Sequence, residues 1–343
     1  MVDFKPDDTV GVYRILRLLG KGAIGAVYEV VHVHLGVRYA LKAFSLEHGH
    51  VDILKDKFLA EGRVLARLNN PSIVHVFDLN FDETSNTLYF VMDLVLDKDG
   101  APHTLADIET SELEEECVRG WFCDLAAALD YVHAQGIVHR DVKLSNVLLN
   151  ADGRAVLSDF GVSHLFSKDL RREVNAETTM VEGSADSRLV MGTHGYMAPE
   201  VERGEEATLA SDVYSFAVMT VYLLTGVWYE PGSMALQLLE VFELPWGAVL
   251  PQMLSEDPKE RPSNLGVLAQ RLRAPHRSRH TRILRGSPRP RAAAVAAAVL
   301  VVSALVSAAF WFALRKPSES PSVDDEAYFR GAFSAEGIFE VLK

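Results

Sequence analysis

Along the first ninety positions apolar and polar residues tend to alternate, a period of two that marks half-buried strands. It predicts strands at Tyr13–Leu19, Ala26–His34 and Val37–Phe44, with two more at Ser72–Leu79 and Thr87–Asp93. Asp52–Leu68 follows a helical period instead. Phe58, Val64, Leu65 and Leu68 form its stripe, and Asn69-Asn70-Pro71 stops it. From Leu113 onward the helical period dominates. Val118, Trp121, Phe122, Leu125, Leu129 and Val132 recur at three- and four-residue steps before Gly136, and a second long helix is predicted over Leu209–Thr225, closed by Gly226. A strand pair is expected around Asp152-Gly153. The pattern predicts an α+β chain: five strands and one helix, then a mainly helical half.

A different pattern covers Ala292–Leu314, 23 residues without a charge. About 20 such residues cross the hydrocarbon core of a bilayer. Trp311 stands near one end and Arg315-Lys316 close it, so a single transmembrane helix is expected. Residues 271–291 carry eight Arg and no acid. The positive-inside rule then places the N-terminal part in the cytoplasm and the tail, 315–343, outside an inner or plasma membrane. With Pro275, Pro288 and Pro290, the basic stretch suits both a solvated linker and contact with anionic headgroups. Small residues four apart, Ala293/Ala297 and Ser303/Ser307, suit helix pairing and a homodimer. The N-terminal MVDFKPDDTV has no apolar core and is no signal peptide.

Charge and cysteines narrow the class. The net charge is −13 although eight Arg are gathered after residue 270, so the preceding chain is strongly acidic. It has no basic face for phosphate backbones, which excludes nucleic acid as a general partner. The two cysteines, Cys117 and Cys123, fall on different faces of one predicted helix and cannot bridge each other locally. They fit buried thiols in a reducing compartment.

The chemistry concentrates in four places. Gly20-Lys21-Gly22-Ala23-Ile24-Gly25 lies between two predicted strands, a hairpin able to lie over phosphates rather than a dinucleotide-binding turn. Lys42 sits among apolar neighbours on the third strand and needs an anionic partner. Glu61 is expected to supply it ahead of Asp56, because Phe58 and Leu65 share its helix face. Ile137–Leu149 places Asp141, Lys143 and Asn146 within six residues, and Asp159-Phe160-Gly161 follows. An acid, a base and an amide at that spacing suit the holding of a hydroxyl and metal-bound phosphates in line.

His139-Arg140-Asp141 with Lys143 and Asn146, followed by Asp159-Phe160-Gly161, resembles the signatures of eukaryotic-type (Hanks-type) serine/threonine protein kinases of the bacterial membrane-anchored kind. The resemblance covers residues 11–272 and implies the two-lobed protein kinase fold, with lobes at 11–94 and 95–272. Around it lie a tail at 1–10, a linker at 273–291, the span at 292–314 and the tail at 315–343.

The resemblance implies ATP and Mg²⁺ as partners of the site. Leu19, Gly20, Lys21, Gly22, Gly25 and Val27 would cover the nucleotide. Lys42, oriented by Glu61, would hold its phosphates. Val27, Ala40 and Leu148 would sandwich adenine, Met92 would limit the pocket's depth, and Asp93–Val95 would form a hinge. Asp97 and Asp99 both remain open as ribose contacts. Asn146 and Asp159 would ligate Mg²⁺, a hard ion suited to oxygen. Asp141 would receive the acceptor's proton and Lys143 would neutralise the moving phosphoryl group.

Lys143 and Thr193, the latter expected near Asp141 and Lys143, are the pattern of kinases acting on Ser/Thr of protein substrates. Glu200 of Ala198-Pro199-Glu200 is expected to pair with Arg261, and Asp212 to brace the catalytic loop. The 40 residues between Asp159 and Glu200 contain Thr178 and Thr179, favoured sites of autophosphorylation, with Arg140 as the phosphate's partner. Leu144 departs from the family pattern, where Pro is common, and the stretch from Asp212 to Arg261 is short. A catalytically silent membrane scaffold is the alternative, but such relatives usually lack one of Lys42, Asp141, Asn146 or Asp159, and all four are here.

Overall fold

The structure is a computed structural model, and it describes residues 3–22, 25–45, 58–59, 62–160, 195–241 and 245–273. Strands β1 (Thr9–Val10), β2 (Tyr13–Lys21), β3 (Ala26–His32), β4 (Arg38–Ser45), β5 (Val76–Asp82) and β6 (Thr87–Met92) form one antiparallel sheet, in the order β1-β2-β3-β4-β6-β5. The sheet has one strand more than the expected five. β1 is too short to show alternation. Gly11, at φ 56°, turns the chain so that Thr9 pairs with Arg14 and Val10 with Tyr13.

The fourth expected strand also begins late, at Val76 rather than Ser72. Residues 72–74 bond downward instead: Leu157 N–H donates to Ser72 O and Val74 N–H to Leu157 O. Alternation along a single strand cannot say which of two edges it will meet.

Period two sorts the sheet's two faces. Leu41, Ala43, Tyr89 and Val91 join Val10, Tyr13, Ile15, Tyr28 and Val30 in one cluster. Phe44, Leu88 and Phe90 point the other way and pack with Phe58, whose ring stacks on Phe90 at 4.5 Å. Lys42 shares that second face by alternation. Residues 58–59 and 62–65 are helical, as expected, but Val64 does not belong to the apolar stripe: it is 44% exposed. Six residues on from Phe58, it is rotated about 120° away around the helix.

The second half is mainly helical, with α1 (Glu115–His133), α2 (Pro199–Glu202), α3 (Leu209–Thr225), α4 (Ala235–Val241), α5 (Leu250–Met253) and α6 (Leu265–Arg273). β7 (Val147–Leu149) pairs with β8 (Ala155–Leu157). α3 is the central post, buried at Val213, Phe216, Ala217, Val218, Val221 and Leu224. Thr208 and Ser211 cap its start reciprocally, and Gly226 ends it in the left-handed conformation with its N–H on Tyr222 O. Phe122 of α1 stacks on Phe216 at 4.6 Å. Asp130 near the end of α1 caps α6, accepting the N–H groups of Leu265 and Gly266. Cys123 is buried as expected, but Cys117 is exposed: six residues of helical spacing turn one thiol to the core and the other to solvent.

The chain divides into two units, Met1–His276 and Arg277–Lys343. The second, with the expected span at 292–314, lies outside the described residues. Among the described residues no helix is long and apolar enough to cross a membrane.

Candidate active site

The upper wall of the site is the hairpin of β2 and β3. Its turn closes with Gly22 N–H on Gly25 O at 2.8 Å. Gly25 is a glycine for the sheet's sake, since a Cβ there would meet Ala43 O at 2.3 Å. Among the described residues Gly20 and Gly22 have no such neighbour within 3.4 Å, so packing against those residues does not demand glycine at either place. Lys21, in the same turn, lies 3.9 Å from Asp3.

Lys42 stands on β4 opposite Val27 and Phe90 in the ladder. Its side chain is only 14% exposed, and Nζ lies 2.6 Å from Asp159 Oδ1. Glu61, its expected partner, lies outside the described residues. Burial alone would push the Asp159 carboxyl up. The charge and hydrogen bond of Lys42, helped by His139 and Lys143, outweigh that and hold it below the usual carboxylate range.

Asp159 adopts φ 62°, a left-handed backbone uncommon outside glycine, as does Arg140 at 68°. Such strain survives only where neighbours over-determine it. Here the neighbours are on hand. Phe160 is buried with its ring 4.5 Å from that of His139, and Ser158, just before Asp159, gives both its N–H and its Oγ to Asn146 O, at 2.8 and 2.9 Å.

Asn146 occupies a short 3₁₀ turn, Leu144–Asn146, and is 5% exposed. Its Nδ2 donates to Asp141 O at 2.8 Å and to Asp141 Oδ2 at 2.9 Å. The amide nitrogen is thereby committed, which leaves Oδ1 as the atom able to ligate a cation. Lys143 Nζ also approaches Asp141 Oδ2, at 2.8 Å. Both donors fall on Oδ2 of a carboxylate about one-fifth exposed. Leu144, the departure from the family pattern, is simply buried in the core beside them.

The loop is braced from below by Asp212, itself buried at the start of α3. Its Oδ2 accepts His139 N–H at 2.7 Å and its Oδ1 accepts Arg140 N–H at 2.8 Å. Glu200 and Arg261 form the expected pair, with parallel bonds of 2.7 and 2.8 Å. Ser211 Oγ adds a third bond to Glu200 at 2.8 Å. Burial would raise the Glu200 carboxyl, but Arg261 and Ser211 hold it below its usual value.

Along the edge nearest the sheet, Ala40 pairs in register with Met92, and Leu148 lies on β7 opposite Val156. Ala40 is buried, while Val27, Met92 and Leu148 are partly buried. Asp93 is tied to the sheet from both ends: its N–H bonds His75 O and its carboxylate accepts His75 N–H. It leads into Val95 and on to the Asp97 turn. The two candidate ribose acids differ sharply. Asp97 Oδ1 accepts the N–H groups of Asp99 and Ala101, so its carboxylate closes its own turn, whereas Asp99 is exposed.

The structure thus gathers Lys42, Asp141, Lys143, Asn146 and Asp159 at one cleft, with Asp212, Glu200 and Arg261 beneath. Thr178, Thr179 and Thr193 lie outside the described residues. Three contributors escaped sequence reasoning. Ser158 ties the two motifs together, and its signal was a polar residue ending the apolar run of β8. His133 Nε2 reaches Asp212 Oδ2 at 2.9 Å across 79 residues, which no local pattern reveals. Arg17 donates to Gly100 O at 2.8 Å, joining the sheet to the turn beyond Asp93.

Comparison with known proteins agrees with this geometry. The Protein kinase domain family matches residues 13–273. The chain is 34% identical over 219 residues to the serine/threonine-protein kinase PknA of Mycobacterium tuberculosis, an alignment covering 63% of this chain and 47% of that one. It is 32% identical over 232 residues to the serine/threonine-protein kinase PknD of Chlamydia felis, covering 62% and 24% respectively. The chain therefore spans about half the length of PknA and a quarter of PknD. The crystal structure of the M. tuberculosis PknI kinase domain superposes with a TM-score of 0.58 at 26% identity, covering 79% of this chain and 98% of that one. Sequence, two-lobed fold and assembled cleft agree, and the chain belongs to the protein kinase domain family, among its Hanks-type serine/threonine members.

Proposed function

We propose that the chain transfers the γ-phosphate of ATP to serine and threonine hydroxyls of proteins, its own activation segment included, while tethered to a membrane by residues 292–314. The observation that carries this reading is the convergence of Lys42, Asp159, Asn146, Asp141 and Lys143 on one cleft. A silent scaffold would not need all five groups assembled.

The donor set fits MgATP as substrate. Asp159 and Asn146 offer a carboxylate and an amide oxygen, ligands that suit Mg²⁺, and the ion supplies charge neutralisation to the phosphates. Gly20 and Gly22, which packing among the described residues does not require, allow close backbone approach to phosphate oxygens. Lys42 is poised to exchange part of its pairing with Asp159 for the phosphates. Val27, Ala40 and Leu148 supply apolar surfaces for the base.

Asp141 takes the acceptor hydroxyl. Lys143 and Asn146 both hold its Oδ2, so Oδ1 is the oxygen presented to the incoming hydroxyl, which it orients and deprotonates. Lys143 stabilises the negative charge that shifts during transfer. Asp212 fixes the backbone that carries these groups, so positions hold without rearrangement at the moment of reaction.

Membrane tethering is supported by the uncharged stretch Ala292–Leu314 and by the arginines before it. Autophosphorylation is supported by the long, hydroxyl-rich segment after Asp159 and by exposed Arg140 beside the catalytic loop. The test is incubation of the full chain with ATP and Mg²⁺, with and without a protein acceptor, beside Asp159→Ala. Phosphoserine or phosphothreonine is expected on protein in the native reaction alone. No incorporated phosphate on any protein overturns the reading.

A further inference from the structure

The loop that follows Asp93 is held shut by its own backbone. Asp97 N–H bonds Ala101 O, and Gly100 N–H bonds Asp97 O. Gly100 takes φ 76°, and the Asp97 carboxylate accepts two more N–H groups. A turn closed this tightly presents the Gly100 carbonyl in a set direction. That carbonyl accepts Arg17 Nη2 at 2.8 Å, a bond between residues 83 apart in sequence.

Arg17 is itself held. Its Nε lies 2.6 Å from Glu29 Oε2, and Glu29 is a buried carboxylate, 3% exposed, gripped on its other oxygen by Arg38 at 3.0 Å. A shift in the β2–β3 register between Ile15 and Arg17 puts Arg17 opposite Glu29. β2 runs on directly from Arg17 into the glycine turn. The guanidinium therefore links the strand that carries the phosphate-covering turn to the first loop of the lower half. Any opening of the cleft along this edge breaks the Arg17–Gly100 bond.

We infer that Arg17 is a positioning residue for the nucleotide: it latches the β2–β3 hairpin to the Asp97–Ala101 turn and slows release of nucleotide from the cleft. The inference rests on the kinase reading for its ligand, but the latch itself does not. A hydrogen bond from a half-exposed guanidinium, weakened by solvent to the scale of a neutral one, is worth a factor of about 3 to 10 in an equilibrium. The latch therefore acts on nucleotide dissociation and on KM for ATP, and leaves kcat nearly unchanged unless release limits turnover.

The test uses the full chain and three variants. Arg17→Met keeps the stem and removes the fork. Arg17→Lys retains a charge for Glu29 but lacks the fork whose Nε and Nη2 reach the two acceptors separately. Arg38→Met weakens the support of Glu29 without touching Gly100. Hydrogen exchange at residues 97–101, measured without nucleotide, reads the latch, and displacement of fluorescent ADP reads its consequence. Faster exchange in that turn is expected for Arg17→Met and Arg17→Lys only, with ADP release about 3- to 10-fold faster. Restoration by Lys, an equal effect from Arg38→Met, or unchanged exchange in Arg17→Met overturns the latch. Faster exchange with unchanged ADP release overturns its role in nucleotide retention. A native chain that binds no nucleotide overturns the kinase reading and the positioning role with it, and the exchange arm alone then decides whether the latch exists.

Discussion

Lys42 Nζ lies 2.6 Å from Asp159 Oδ1, so a base from the sheet and an acid from the helical half meet across the cleft. Lys42 is 14% exposed and Asp159 29%. The pair is sheltered enough for its charge to count, and open enough to be shared with a ligand. It also neutralises two groups that would be costly to bury alone.

Removing either member should cost the same activity. Lys42→Met and Asp159→Asn are each expected to lower kcat/KM by about 10²–10³-fold, the usual scale for losing one preorganised electrostatic group. The double variant should lose little more, because groups that act as a unit are not additive. Initial-rate assays against ATP concentration check this, and full additivity would contradict it.

Asp141 and Asn146 should separate chemistry from binding. Asp141→Asn removes the proposed proton acceptor and is expected to lower kcat by about 10²–10⁴-fold while KM for ATP changes little. Asn146→Ala should raise the Mg²⁺ concentration needed for half-maximal rate, because it removes the oxygen proposed to ligate the metal. Titrating Mg²⁺ against both variants distinguishes the two losses.

Glu200 and Arg261 should matter to stability before activity. Arg261 is buried and makes both bonds to Glu200, so Arg261→Ala leaves a carboxylate without its partner. A loss of about 3–5 kcal/mol is expected. Arg261→Lys should recover only part of it, since an ammonium cannot make two parallel bonds. Melting temperatures of the three proteins measure the order.

His139 gives the chain an acid-side stability loss. The ring is fully buried, and burial lowers its pKa below 6.5, against the weaker upward pull of Asp212, Ser158, Asp141 and Asp159. Its two nitrogens are also both used in the neutral form: Nε2–H donates to Ser158 O and Nδ1 accepts Asp141 N–H. The unfolded chain takes up a proton near 6.5 and the folded chain does not. Stability from this group is therefore complete above that pH and falls as pH drops toward the folded-state value, by up to about 1.4 kcal/mol per unit. His139→Phe should flatten that slope in urea unfolding between about pH 7.5 and 5.5. A native slope of opposite sign would refute the assignment.

The alternation of β4 made Lys42's inward direction readable, because the side-chain period of a strand is two wherever it lies. The helical stripe of α1 and the capped length of α3 were readable for the same local reason. Val64 misled because hydrophobicity alone does not assign a helix face. Residues 72–74 misled because they pair with β8 from the other half of the fold. Which of Asp97 and Asp99 closes the turn was not readable in the sequence, because it depends on which carboxylate the folded turn's own amides reach.

Sequence alone therefore determined the chemistry at hand. Asp141, Lys143, Asn146 and Asp159 lie close along the chain, and their types and spacing carry the reaction proposed for it. Tertiary structure decided how those groups are held. His133 and the backbone of His139 and Arg140 meet Asp212 across 72 to 79 residues, and Arg261 meets Glu200 across 61. Arg17 meets Gly100 across 83. Such contacts depend on how whole elements pack, and no periodicity within one element encodes which distant partner its side chain will reach.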